Sequence, residues 1–149
     1  MKCMNKIHIA NEKETEQLGV KIGRAAKPGM VVALIGDLGT GKTTLTKSIA
    51  KGLGVTETVT SPTFNIIREY KSGRIPLYHF DVYRIADPEE MFELGYEEYF
   101  YGDGICVVEW ADIIEELLPE DACIIRIDRG ASEEEREYTI EGAEDTCIF

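Results

Sequence analysis

Gly36-Asp37-Leu38-Gly39-Thr40-Gly41-Lys42-Thr43 is the run whose residue types and spacing speak most directly of chemistry. It fits G-x-x-x-x-G-K-[ST], a phosphate-binding loop. Its glycines let backbone approach a ligand where a Cβ would intrude. The amides of Asp37, Leu38, Gly39, Thr40 and Gly41 can then converge on phosphate oxygens, helped by the positive end of the following helix. Lys42 has the reach and charge for the β- and γ-phosphates, and Thr43 offers a hydroxyl to Mg²⁺. Thr44 either bonds an α-phosphate or only continues the helix. Thr44 also stands where a dinucleotide fingerprint requires glycine, so that reading is rejected.

A magnesium–phosphate site needs acids at strand ends. Ile105-Cys106-Val107-Val108-Glu109 gives four apolar residues and then a carboxylate, so Glu109 is the expected metal anchor, directly or through water. Asp81 follows Leu77-Tyr78-His79-Phe80 and competes for the same roles, metal support and orientation of the attacking water. Ser61 and Thr63, in Thr60-Ser61-Pro62-Thr63-Phe64, are expected in a switch-like loop that responds to the γ-phosphate. Trp110, the only tryptophan, either packs in the core or contributes to a partner contact. No Asn-Lys-x-Asp follows a strand in the second half, so adenine is favoured over guanine.

The elements that must position these groups follow from periodicity. Ile7–Ala10 reads as a strand, and Asn11 with Glu14 opens a helix to about Ala26. On it the small Gly19 and Gly23 beside Leu18 and Ile22 predict close packing. Val31–Ile35 reads as a strand buried on both faces. A helix from Lys42 to Leu53 carries Leu45, Ile49 and Leu53 on one face, with Gly54 as its cap. Phe64–Tyr70 and Ile75–Tyr83 form an expected hairpin, and Asp87-Pro88-Glu89-Glu90 opens a third helix. Ile105–Val108 is a further strand, and Ala111–Leu118 a short helix stopped by Pro119. Cys123–Ile127 and Glu137–Ile140 form a last hairpin. Strands alternating with helices, plus hairpins, predict one α/β domain over 1–149. Its expected form is a three-layer P-loop NTPase-like fold with a mixed, mainly parallel central sheet and hairpin additions.

Taken in order, the loop through Thr44, Ser61-Pro62-Thr63-Phe64, His79-Phe80-Asp81-Val82-Tyr83-Arg84, Asp87-Pro88-Glu89-Glu90 and Glu109-Trp110 resemble the TsaE (YjeE) family. The Leu18-Gly19 helix resembles it too, and the matching blocks span about residues 15–110. The resemblance implies a bacterial P-loop ATPase of tRNA threonylcarbamoyladenosine synthesis, weak alone. It implies action with the TsaB–TsaD pair, supporting turnover of the complex that modifies adenosine 37 of tRNAs reading ANN codons. It implies ATP and Mg²⁺ as cofactors, with Lys42 and the loop amides on phosphates and Thr43 and Glu109 on the metal. It further implies Asp81 in hydrolysis, Thr63 in the switch-like loop, and Trp110 beside the nucleotide or a partner. Thr15 and Arg129 are carried over as nucleotide contacts. The alternative is a nucleotide-gated binding module in which ATP occupancy, not hydrolysis, controls association.

Charge narrows the partners. Residues 1–75 hold twelve Lys and Arg against six Asp and Glu, whereas residues 76–149 hold four against 22. A net charge of −12 argues against a general basic grip on nucleic acid, so strong direct tRNA binding is not expected. Nor is an anionic membrane surface the expected partner. Cys3, Cys106, Cys123 and Cys147 have no metal-ligand spacing, and the first residues lack a signal peptide's apolar stretch. Both point to a reduced, cytoplasmic setting.

Overall fold

The apolar run Val31–Ile35 lies near the middle of a seven-stranded sheet, parallel to a neighbour on each side, with its first four side chains buried. The computed structural model describes residues 2–62 and 65–143. In chain order the strands are β1 (Lys2–Ile9), β2 (Val31–Ile35), β3 (Ile67–Tyr70), β4 (Leu77–Asp81), β5 (Ile105–Glu109), β6 (Cys123–Arg129) and β7 (Arg136–Ala143). The helices are α1 (Glu12–Ala25), α2 (Lys42–Leu53), α3 (Glu89–Leu94) and α4 (Tyr96–Phe100), with a 3-10 helix at Ala111–Leu117.

The sheet order is β1-β7-β6-β2-β5-β4-β3. The four central strands, β6, β2, β5 and β4, are mutually parallel, while β1, β7 and β3 join antiparallel at the edges. The mixed sheet is as expected, with parallel pairing confined to its centre. That arrangement brings the C-terminal ends of four strands to one rim, the usual place for a ligand in open α/β sheets.

The pleat sorts side chains into two cores, giving three layers. Val32, Leu34, Leu77, Ile105, Val107, Ile125 and Ile127 meet α1 and α2. Val31, Ala33, Phe80, Cys106 and Val108 face Met91, Phe100 and Ile114 from α3, α4 and the 3-10 helix. The expected close approach of α1 and α2 is present. A Cβ on Gly19 would lie 2.3 Å from Ser48 Cβ, and one on Gly23 2.2 Å from the Ile49 carbonyl oxygen.

Helix starts match the capping signals. The Glu14 amide donates to Asn11 Oδ1 at 3.1 Å, and Glu14 Oε1 accepts from the Ala10 amide at 2.9 Å. At α3, Asp87 Oδ1 accepts from the Glu89 amide and Glu90 Oε2 from the Asp87 amide. Gly54, at φ 84°, closes α2. Other boundaries differ. β1 begins at Lys2 rather than Ile7 because eight residue pairs register it against β7. β4 ends at Asp81 rather than Tyr83 because the Asp81 carboxylate takes the Tyr83 amide, turning the chain. β3 begins at Ile67, α4 is an additional helix, and the segment after Trp110 is 3-10 rather than α, broken at Ile114. Cys106 and Cys123 are both buried, and burial pushes the Cys106 thiol up to about 12, consistent with inertness there.

Candidate active site

Each strand of the parallel centre ends in a residue singled out by sequence. The glycine-rich loop leaves β2, Asp81 closes β4, Glu109 closes β5 and Arg129 closes β6. On β4 and β5 the pleat aims His79, Asp81 and Glu109 to the α2 side, with Asp81 and Glu109 paired in register.

The loop is a turn stapled shut at Asp37, whose carbonyl accepts the Thr40 amide at 3.2 Å and the Thr40 hydroxyl at 2.8 Å. Gly39 and Gly41 take φ of 79° and 101°, which favour glycine, and Gly41 then starts α2. Cations hold the loop's carbonyls in succession. Lys42 Nζ donates to the Gly36 and Asp37 carbonyls at 2.6 and 2.9 Å. Arg129 donates to the Leu38 carbonyl at 2.7 Å. Arg136 Nε donates to the Thr40 carbonyl at 3.0 Å, while its Nη1 ties down the Glu133 and Glu135 carbonyls. Arg136 was not singled out by sequence, because its partner in the loop is a backbone carbonyl 96 residues away.

Thr43 stands at the centre of the polar constellation. Its Oγ1 donates to Glu109 Oε1 at 3.0 Å and lies 3.0 Å from Ser61 Oγ. Glu109, 3% exposed, also meets His79 Nε2 at 2.5 Å. Asp81 is half-buried, and burial first, then the Glu109 charge, push its carboxyl above the usual carboxylate range against the pull of the Tyr83 amide. Burial lowers Lys42, opposed by Glu109, Asp81 and Asp37. Trp110 lays its ring 4.0 Å from Lys42 Nζ and 4.7 Å from the Tyr83 ring. Its φ of 61° is unfavourable for a bulky residue, a strain of about 1–2 kcal/mol. Trp110 thus belongs to the site rather than to the core alone.

Two cavities meet at Gly39, Gly41 and Thr44. One, about 380 Å³, is lined by Lys42, Thr43, Ser61, Asp81, Glu109 and Trp110. The other, about 340 Å³, is bordered by Thr15, Thr40, Glu133, Glu134, Arg136 and Tyr138. Thr15 therefore lies on the second cavity and Leu38 on the first. Thr63 lies outside the described residues.

The donor set around Thr43 suits Mg²⁺. The Ser61 hydroxyl and the Glu109 carboxylate each lie 3.0 Å from Thr43 Oγ1, a set of hard oxygens. Among the described residues no cluster of three or more His, Cys, Asp or Glu could hold a metal unaided. The residues fit an ion that takes part of its coordination from phosphate and water, as Mg²⁺ does.

A model of the family described as threonylcarbamoyl adenosine biosynthesis protein TsaE matches residues 9–138. The chain is 52% identical over 134 residues to the tRNA threonylcarbamoyladenosine biosynthesis protein TsaE of Bacillus subtilis, covering 90% of this chain and 83% of that one. It is 40% identical over 140 residues to the protein of that name from Treponema pallidum, covering 94% and 99%. The crystal structure of Bacillus subtilis YdiB superposes with a TM-score of 0.82 at 46% identity, covering 95% of this chain and 87% of that one. The glycine-rich loop, the strand-end acids and the parallel sheet rim thus sit in a chain that belongs to the TsaE family, named for tRNA threonylcarbamoyladenosine biosynthesis.

Proposed function

We propose that the chain is a Mg²⁺-dependent ATPase that supports tRNA threonylcarbamoyladenosine formation together with TsaB and TsaD homologues in the cytoplasm. The observation that carries this reading is the Thr43 hydroxyl, its hydrogen committed to the buried Glu109 carboxylate beside Lys42. With that hydrogen consumed, Thr43 Oγ1 accepts from Ser61 and keeps its remaining lone pair for a cation. Mg²⁺, when bound, neutralises charge on the β- and γ-phosphates.

The residues divide the work. Lys42 exchanges its loop carbonyls for phosphate oxygens. Arg129 and Arg136 hold the loop so that its amides serve as phosphate donors. Glu109 orients Thr43, and Asp81, which lines the same cavity, orients the attacking water. Thr44 borders both cavities, so the phosphate chain crosses it and the nucleoside lies toward Thr15 and Tyr138. The acidic second half leaves the main tRNA grip to the partners.

Trp110, the sole tryptophan and 4.0 Å from Lys42, gives an intrinsic fluorescence readout of nucleotide binding. ATP with Mg²⁺ is expected to change it and phosphate to be released slowly. Pull-down with TsaB and TsaD homologues is expected to depend on ATP. Asp81→Ala separates hydrolysis from occupancy. If it binds ATP, releases no phosphate and still supports multiple rounds of tRNA modification, occupancy alone controls the partners.

A further inference from the structure

We propose that His79 is a positioning residue that fixes the Glu109 carboxylate from the core side, so that Thr43 meets a single arrangement of it. The proposal deepens the Mg²⁺–ATP reading and rests on it for its functional consequence.

His79 lies one pleat repeat below Asp81, in register with Val107 and between the apolar Leu77 and the site. It is 0% exposed, where an imidazole is costly unless its polar atoms are bonded. Nε2 reaches Glu109 Oε2 at 2.5 Å, while Nδ1 has no hydrogen-bond partner among the described residues. A hydrogen on Nδ1 would be buried without an acceptor. We therefore assign the ring hydrogen to Nε2, which donates to Oε2.

Glu109 is then held from two sides. His79 takes Oε2 from within the sheet, and Thr43 donates to Oε1 at 3.0 Å and lies farther, at 3.3 Å, from Oε2. The division leaves Oε1 on the cavity side. A side chain of the same volume without a donor would fill the space but leave the carboxylate free to turn toward Lys42, spoiling the Thr43 contact. Outer partners of this kind tune metal affinity without touching the metal.

The test compares H79L with H79Q, whose amide can still donate to Glu109. In H79L the Mg²⁺ concentration that supports ATP binding, read by Trp110 fluorescence, is expected to rise about 10-fold or more. Metal-free nucleotide binding is expected to stay as in wild type. H79Q is expected to restore the Mg²⁺ dependence even if both variants melt at lower temperature. Imidazole ¹⁵N spectra of the ligand-free wild type are expected to show a protonated Nε2 and a bare Nδ1. Unchanged Mg²⁺ dependence in H79L, or failure of H79Q to rescue it, would reduce His79 to core filling. A hydrogen found on Nδ1 overturns the assignment, and this holds even if H79L does not fold. Wild-type protein whose ATP binding ignores Mg²⁺ would sink the ATPase reading instead, leaving the tautomer to decide the Glu109 clamp.

Discussion

The two cavities that meet at Thr44 are built on different principles. The Glu109 side gathers the buried Glu109 and the half-buried Asp81 at parallel strand ends against the start of α2, with Glu109 tied to both Thr43 and His79. The Thr15 side is framed by the start of α1 and the β6–β7 hairpin, with Glu133 and Glu134 exposed on its border. A strand end fixed by neighbours on both sides can hold a carboxylate to tenths of an ångström. A hairpin edge adapts more easily. The difference suits chemistry on one side and recognition on the other.

The comparison breaks first at Lys42. Lys42→Ala removes the one cation that lines the Glu109-side cavity among the described residues, and phosphate release is expected to fall about 10²–10³-fold. Nucleotide titration and a phosphate assay measure it. Glu109→Gln comes next. It keeps the shape but weakens acceptance from His79 and Thr43, and Mg²⁺-dependent hydrolysis is expected to fall about 10- to 100-fold. Metal-free nucleotide binding is expected to persist, which distinguishes it from Lys42→Ala.

The same contrast governs what could be read from sequence. Lys42 and Thr43 were legible from the glycine-rich motif, and Asp81 and Glu109 because each closes a largely apolar strand-like run. The pleat then places His79 and Asp81 on one face by their spacing alone. Arg136 and Tyr138 were not legible. They reach the site only because β7 pairs with both β6 and β1, a long-range choice that local pattern does not encode. α4 escaped because five residues carry too little periodicity, and its order comes from aromatic contacts such as Tyr96 with Phe100.

Arg136→Ala tests that hidden side. Its bonds to the Thr40, Glu133 and Glu135 carbonyls are half-exposed, so a loss near 1 kcal/mol, about 5- to 10-fold in ATP affinity, is expected. The loss should be equal with and without Mg²⁺, because Arg136 supports the loop and not the metal. A Mg²⁺-dependent loss would mean that the two cavities are not separable.

His8 gives the smallest expected effect and the sharpest check on the hairpin edge. Its Nδ1 meets Glu137 Oε1 at 2.6 Å and its Nε2 lies 3.3 Å from Glu135 Oε2, acids that flank Arg136 in sequence. The hydrogen bond to Glu137 first, joined by the charges of Glu137, Glu135 and Glu14, raises its pKa above the ordinary 6.5 against desolvation. A raised folded-state value means that protonated His8 stabilises the edge fully below about pH 6.5. That contribution is lost as pH rises through the folded value. The melting-temperature gap between wild type and His8→Gln is therefore expected to be small and positive in mild acid and to close in mild alkali. ATP affinity should not follow that window, because the carbonyls of residues 133 and 135, not their side chains, hold Arg136. Affinity that tracked His8 would show the edge steering the second cavity, and the hairpin would then be part of nucleotide recognition rather than its frame.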